Sequence, residues 1–190
     1  AAYRPAVALL TAFPAADGRV LLVRNHELDL GELEKGAFGP KQELLSKIDR
    51  TRLYDQGIDD VVQIGGTTTL VYDPSSGRVE KQFMSLAGTL RNCSGGPTPW
   101  GSWLSCEETE DKAGENSAAK DHGYVFEVKA DASSGLIKAQ PLTAMGRFYH
   151  EAAAVDPRTG IVYMTEDRVD GLFYRFIPEK RGELSAGGKL

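Results

Sequence analysis

The sequence predicts an all-β chain and, within that class, a partial β-propeller of about four blades. Three observations carry this expectation. Glycine supplies 21 of 190 residues, against a usual share of about 7 %, and an excess without a short period signals many tight turns. Short apolar runs rich in β-branched and aromatic residues follow one another, separated by turn-forming clusters. Two stretches also echo each other. Trp103-Leu-Ser-Cys-Glu-Glu108, a polar loop and Gly123-Tyr-Val-Phe-Glu-Val128 are matched by Val162-Tyr-Met-Thr-Glu-Asp167 and Gly171-Leu-Phe-Tyr-Arg-Phe176. The two glycines stand 48 residues apart, near the roughly 40 to 50 residues of one propeller blade. Repeated four-stranded units with carboxylates at one strand end describe a propeller with a polar axial site. A β-sandwich whose hairpins are alike by chance is the plainer alternative.

The elements follow in order. Val20 to Arg24 is apolar and β-branched, and Thr67 to Tyr72 alternates until Asp73-Pro-Ser-Ser-Gly77 turns the chain. Proline presets φ in such a turn, aspartate caps it and glycine accepts positive φ. Gln82 to Leu86 follows, then Trp100 to Cys106 and Gly123 to Val128. Ala152 to Val155 ends in a second Asp-Pro-x-x-Gly turn at residues 156–160, leading to Ile161 to Thr165 and Gly171 to Phe176. One window reads as a helix. In residues 40–49, Pro40 suits a first turn, and Leu44, Leu45 and Ile48 recur at helical spacing. This is a short surface helix inside a connection. The tail, Glu179 to Leu190, is polar and glycine-rich and is expected to lack a closing strand. The whole, residues 1–190, reads as one partial propeller domain.

Charge and composition narrow the functions. The net charge of -5 and pI of about 5.3 argue against a nucleic-acid binder, which needs a basic stripe. No apolar run approaches the roughly 20 residues of a membrane span, and Ala6 to Leu10 is too short for a signal-peptide core. There is no P-loop, Gly-x-Ser-x-Gly elbow or HExxH, and three histidines argue against a histidine-rich zinc site.

Carboxylates remain as the candidate chemistry. Asn25-His26-Glu27, Glu107-Glu108, His150-Glu151 and Glu166-Asp167-Arg168 each join an apolar strand without a Gly or Pro spacer. Asp59-Asp60 reads as a solvated turn. Equivalent strand ends converge on a propeller axis, and several carboxylates there need a cation, because like charges raise one another's pKa. Calcium, with its oxygen ligands, resolves that conflict. Cys93 lies in Asn92-Cys-Ser-Gly-Gly-Pro-Thr-Pro-Trp-Gly101, read as a rigid irregular loop. As a ligand its thiolate would call for a softer metal than calcium. Buried thiol, metal ligand and disulfide partner of Cys106 all stay open for it; Cys106 itself sits in a strand and reads as packing.

Arg91 to Glu108, Gly146 to Gly160, Val162 to Pro178 and Leu22-Val-Arg-Asn-His-Glu27 together resemble the signature segments of the PhoX-type alkaline phosphatases, in matching order from about residue 18 to 178. The resemblance implies a six-bladed propeller exported by bacteria to the periplasm or beyond. It implies hydrolysis of small phosphate monoesters with calcium and iron. Cys93 would be an iron ligand, and Glu27, Glu107 or Glu108, Glu151 and Glu166 would bind the metals or flank them. Arg168 is the candidate substrate-binding residue. The family's later half carries an Arg-Pro-Glu segment without counterpart here, so the chain reads as a fragment or shortened relative. A non-catalytic calcium-binding propeller module is the alternative, and a lactone hydrolase with a single calcium is a third reading that Cys93 disfavours.

Overall fold

A computed structural model describes residues 9–190; of the Ala6–Leu10 run, residues 6–8 lie outside it. Among the described residues, eleven strands form three antiparallel sheets, each a meander in chain order. The first holds β1 (Leu10–Pro14), β2 (Val20–His26), β3 (Gly65–Asp73) and β4 (Arg78–Thr89). The middle sheet holds β5 (Asn92–Pro97), β6 (Ser102–Glu107) and β7 (Val125–Lys129). The third holds β8 (His150–Val155), β9 (Val162–Glu166), β10 (Phe173–Pro178) and the two-residue β11 (Gly188–Lys189).

The sheets stack face to face, with the middle one buried on both sides. Alternation along a strand sends successive side chains to opposite faces. Trp103, Phe126 and Val128 accordingly pack with Phe13, Val23 and Leu86 of the first sheet. Leu104, Cys106 and Val125 pack with Ala153, Met164 and Phe176 of the third. Every residue of β6 is buried, its apolar side chains parted by Ser105 and ended by the buried Glu107.

Three sheets stand where length alone allows about four units. The difference lies in the connection between β2 and β3, which spends residues 27–64 on a third apolar cluster. Leu28, Phe38, Leu53, Val62 and Ile64 bury there against Ala87 of β4. The helix expected at residues 40–49 shrinks to a 3₁₀ segment, Glu43–Lys47, one of three in this connection. It begins after Gln42, whose φ of 54° is left-handed. Gln42 instead clamps Val62, donating from Nε2 to its carbonyl and accepting from its N–H. Only Leu45 of the segment is buried, too little apolar contact to sustain a longer helix.

Two further expectations are corrected. The tail does close its sheet, because β11 pairs with Ile177 and Pro178 of β10. The Asn-Cys-Ser-Gly-Gly-Pro segment is a strand, β5, and its glycines serve close approach. A Cβ on Gly95 would stand 1.7 Å from the Leu104 carbonyl oxygen, and one on Gly96 1.8 Å from that of Ala153. Glycine therefore lets β5 lie directly against both β6 and the neighbouring sheet.

Candidate metal centre

The middle and third sheets present the same device at the same end. In each, the first strand carries one extra residue against the second. Asn92 pairs with Glu107 and Gly95 with Ser105; His150 pairs with Glu166 and Ala153 with Met164. Each is a β-bulge, which re-aims the side chains at the extra residue. The re-aimed residues include Cys93 and Glu151. Each second strand then runs out in two acids, the last residue of the strand and the one beyond it: Glu107-Glu108 at the end of β6 and Glu166-Asp167 at the end of β9.

Two overlapping donor groups result. Ligand atoms of Glu27, Cys93 and Glu108 lie within 4.8 Å of one another, as do those of Glu108, Glu151 and Asp167. Glu108 belongs to both. The Cys93 thiol approaches the two Glu151 oxygens at 3.7 and 3.6 Å. Glu27, just beyond β2, brings the first sheet into the same cluster.

Asn25, fully buried, braces this arrangement. Its Nδ2 donates to the Cys93 and Ser94 carbonyls at 3.2 and 2.7 Å. Its Oδ1 accepts from Trp103 Nε1 and Ser105 Oγ at 2.8 and 2.9 Å. One side chain thus ties the bulge of β5 to β2 and β6.

The electrostatics are those of crowded acids. Burial, a hydrogen bond with Asp167 and the nearby Glu27 and Glu151 charges push Glu108 up to about 7. Burial and the charges of Glu27, Glu151 and Glu108 push the Cys93 thiol well above its ordinary value. A cation placed among these groups relieves both strains, and the donor chemistry fits two kinds. Glu108, Glu151 and Asp167 offer only oxygen, as calcium prefers. Cys93 adds a sulfur donor beside Glu27 and Glu108, which suits iron better than calcium. The two cysteines are free thiols, Cys106 wholly buried.

Of the residues singled out in sequence, Glu27, Cys93, Glu108 and Glu151 come together, and Glu107 and Glu166 stand outside. Strand alternation turns these last two away from the acids that follow them. Glu107 is fully buried. Its Oε1 accepts from Leu90 N and His122 Nδ1 at 2.8 and 2.7 Å, its Oε2 from Gly123 N and Tyr124 N at 2.8 and 3.1 Å. Glu166 does the equivalent work one sheet on, accepting from Leu172 N and the Tyr174 hydroxyl at 3.0 and 3.1 Å. Both carboxylates pin the glycine-led aromatic segment that returns beside them. Arg168 pairs with Glu110 and lays its guanidinium 4.4 Å from the Tyr149 ring centroid, at the rim of the cluster.

Sequence reasoning placed Asp167 in a candidate cluster but chose Glu166 from it as the donor, and it missed Asn25 and His122 as supports. The internal echo held the first signal, since it aligns Asp167 with Glu108. His122 bridges Glu107 to Asp55, whose Oδ2 lies 3.1 Å from Nε2; no local spacing announces a contact across 67 residues.

The model of the alkaline phosphatase PhoX family matches residues 7–190. Among solved structures, the fold is similar to that of Pseudomonas fluorescens PhoX in complex with vanadate, a transition state analogue. The TM-score is 0.58 at 19 % identity, over 94 % of this chain and 43 % of that one. The present chain thus spans less than half the length of that protein. No curated protein matches it.

Proposed function

The chain belongs to the alkaline phosphatase PhoX family, and on that footing we propose that its carboxylate–thiol cluster is the metal centre of a phosphate monoester hydrolase that uses calcium and iron. The observation that carries this reading is the pair of donor groups sharing Glu108, one with a sulfur and one of oxygens alone. Cys93, Glu27 and Glu108 would hold iron; Glu108, Glu151 and Asp167 would hold calcium. Metals held by these residues would supply positive charge to the phosphoryl oxygens and to the leaving group.

The chain's own residues orient the centre. Asn25 fixes the backbone of Cys93, and the two bulges set Cys93 and Glu151 facing each other. Glu107 and Glu166 anchor the strand ends from which Glu108 and Asp167 project. Arg168, held by Glu110 over Tyr149, supplies a guanidinium at the rim beside Asp167 for an incoming phosphate. Family membership also supports export to the bacterial periplasm or beyond, which cell fractionation would test.

Elemental mass spectrometry of the purified chain, followed by 4-nitrophenyl phosphate hydrolysis with and without chelator, tests the proposal. Calcium and iron retained, with chelator-sensitive turnover, supports it. Calcium alone without turnover would make the chain a calcium-binding module instead. Neither metal would refute a complete centre in these residues.

A further inference from the structure

The two outer faces of the three-sheet stack are apolar and open to solvent. On the third sheet, Val162, Met164 and Phe176 turn inward, so strand alternation sends Tyr163, Phe173 and Ile177 outward. Phe173 is 71 % exposed, and its ring lies parallel to that of Tyr163, the centroids 5.9 Å apart. Ala154, paired with Tyr163, extends the patch. On the first sheet, Leu21, Val23 and Val71 turn inward. Ala12, Leu22 and Leu70 then form one outward row across β1, β2 and β3. Leu10, 49 % exposed, lies beyond one side of this row, and the Val20–Tyr72 pair beyond the other. Among the described residues, Val20, Leu22, Leu70 and Tyr72 pack into none of the three core clusters. The connection of residues 27–64 covers only the far end of this face, where it meets Met84 and Ala87. Contiguous apolar faces of this kind mark interaction sites.

The stack itself says what fits them. An internal sheet meets its predecessor by one face and its successor by the other: β6 turns Trp103 to the first sheet and Leu104 to the third. The free face of the first sheet is the one that would meet a predecessor. The free face of the third is the one that would meet a successor. They are complementary in kind, and a second copy of the chain offers each of them its match. A head-to-tail contact of this sort gives a ring where the rotation closes and a filament where it does not. Propellers close with about four to eight sheets. Three sheets fall short of that range, and among multiples of three only six lies within it. Length agrees, because this chain spans 43 % of the similar PhoX chain, and two copies together approach its full length.

We propose that two copies of this chain close head to tail into one ring of six sheets, the third-sheet face of each packed on the first-sheet face of the other. Both junctions form in one pair, so the second closes at high effective concentration once the first is made. The ring carries two carboxylate–thiol clusters, one per copy. The inference does not rest on the phosphatase reading, and its test needs neither metal nor turnover.

Size-exclusion chromatography with light scattering, at about 50 µM and so well above the micromolar Kd of a weak specific contact, reads the mass directly. The wild-type chain should run at twice the 20.6 kDa of one copy. Phe173→Asp alters one face and Leu70→Asp the other. Each alone should run as a single copy, because both junctions then contain an altered face. Mixing the two variants should restore a pair, since one junction then joins two unaltered faces. Melting curves confirm that each variant folds; Phe173 is exposed enough to be replaced safely, and Leu10→Asp takes the place of Leu70→Asp if that chain does not fold. A wild-type chain of single mass overturns the proposal, as it would if further sheets of a longer chain are what cover these faces. An open series of larger masses overturns the closed ring. A dimer that survives Phe173→Asp overturns the assignment of the faces.

Discussion

Replacing His122 by glutamine should destabilise the protein by about 3 kcal/mol at pH 6 and by almost nothing at pH 10. His122 is fully buried between two carboxylates, Glu107 at 2.7 Å and Asp55 at 3.1 Å. Burial lowers its pKa, but the Glu107 charge and the hydrogen bonds to Asp55 and Glu107 outweigh that, and the ring is pushed up to about 9. Asp55 moves the opposite way. Burial would raise it, yet the His122 bond and the N–H groups of Gly57 and Lys120 hold it below its ordinary value. A histidine of folded pKa about 9 against a reference of 6.5 binds its proton more tightly when folded. Its stabilisation is complete below about pH 6.5 and is lost as pH rises through about 9. At about 1.4 kcal/mol per pKa unit the total is about 3 kcal/mol, in line with the roughly 3 to 5 kcal/mol lost when one partner of a buried ion pair is removed.

Urea unfolding of the metal-free protein from pH 5 to pH 10 reads this directly. Glu108 does not confuse the window. Its pKa, raised from 4.5 to about 7, makes stability fall between those values and then level off. The wild type should decline further between pH 7 and 10; His122→Gln should decline less, by only the part that the two thiols, both held above their ordinary value, contribute equally to the two proteins above about pH 8. The same decline in the variant would show that another group titrates, and the buried Asp–His–Glu line would lose its assigned role.

Cys93→Ala should abolish iron binding while calcium is retained at the oxygen-only group, as elemental analysis would show. Asn25→Ala removes the two bonds that hold the β5 bulge and should weaken iron binding about ten- to a hundredfold in a competitive chelator titration. Gly96→Ala must push β5 off β8, because its Cβ would sit 1.8 Å from a backbone oxygen; a drop of about 3 kcal/mol or more is expected in thermal unfolding. Gly77→Ala, at φ 67° in open space, should cost only about 1 to 2 kcal/mol. In the paired acids, Asp167→Asn should lower calcium affinity, whereas Glu166→Gln should lower the melting temperature with affinity nearly intact; the reverse outcome would overturn the division of labour argued from strand alternation.

The fold class was legible because it rests on short-range signals: strand-length apolar runs, two Asp-Pro-x-x-Gly turns and a repeat. β5 was not, because its glycines lower strand propensity for a reason that lies outside the strand. Gly96 is glycine on account of Ala153, 57 positions away in sequence and in another sheet. The connection between β2 and β3 was misread for a similar reason. Gln42 bonds Val62 rather than opening a helix, and nothing near residue 42 encodes that partner.

The site shows where such reading runs out and what would have carried it further. Sequence marks Glu107-Glu108 and Glu166-Asp167 as doublets but does not say which member is which. Only the residue at which the strand ends decides, because adjacent side chains on an extended backbone face opposite ways. The first acid of each doublet turns toward the returning glycine–aromatic segment and spends its oxygens on Gly123 and Tyr124, or on Leu172 and Tyr174. The second is thereby free for the cluster. The echo therefore encodes a pairing of roles, anchor then donor, repeated from sheet to sheet. Its first strands repeat the logic, with Cys93 and Glu151 both delivered by bulges. A single substitution, sulfur for carboxylate, within an otherwise duplicated frame is what gives the two donor groups that share Glu108 different chemistry.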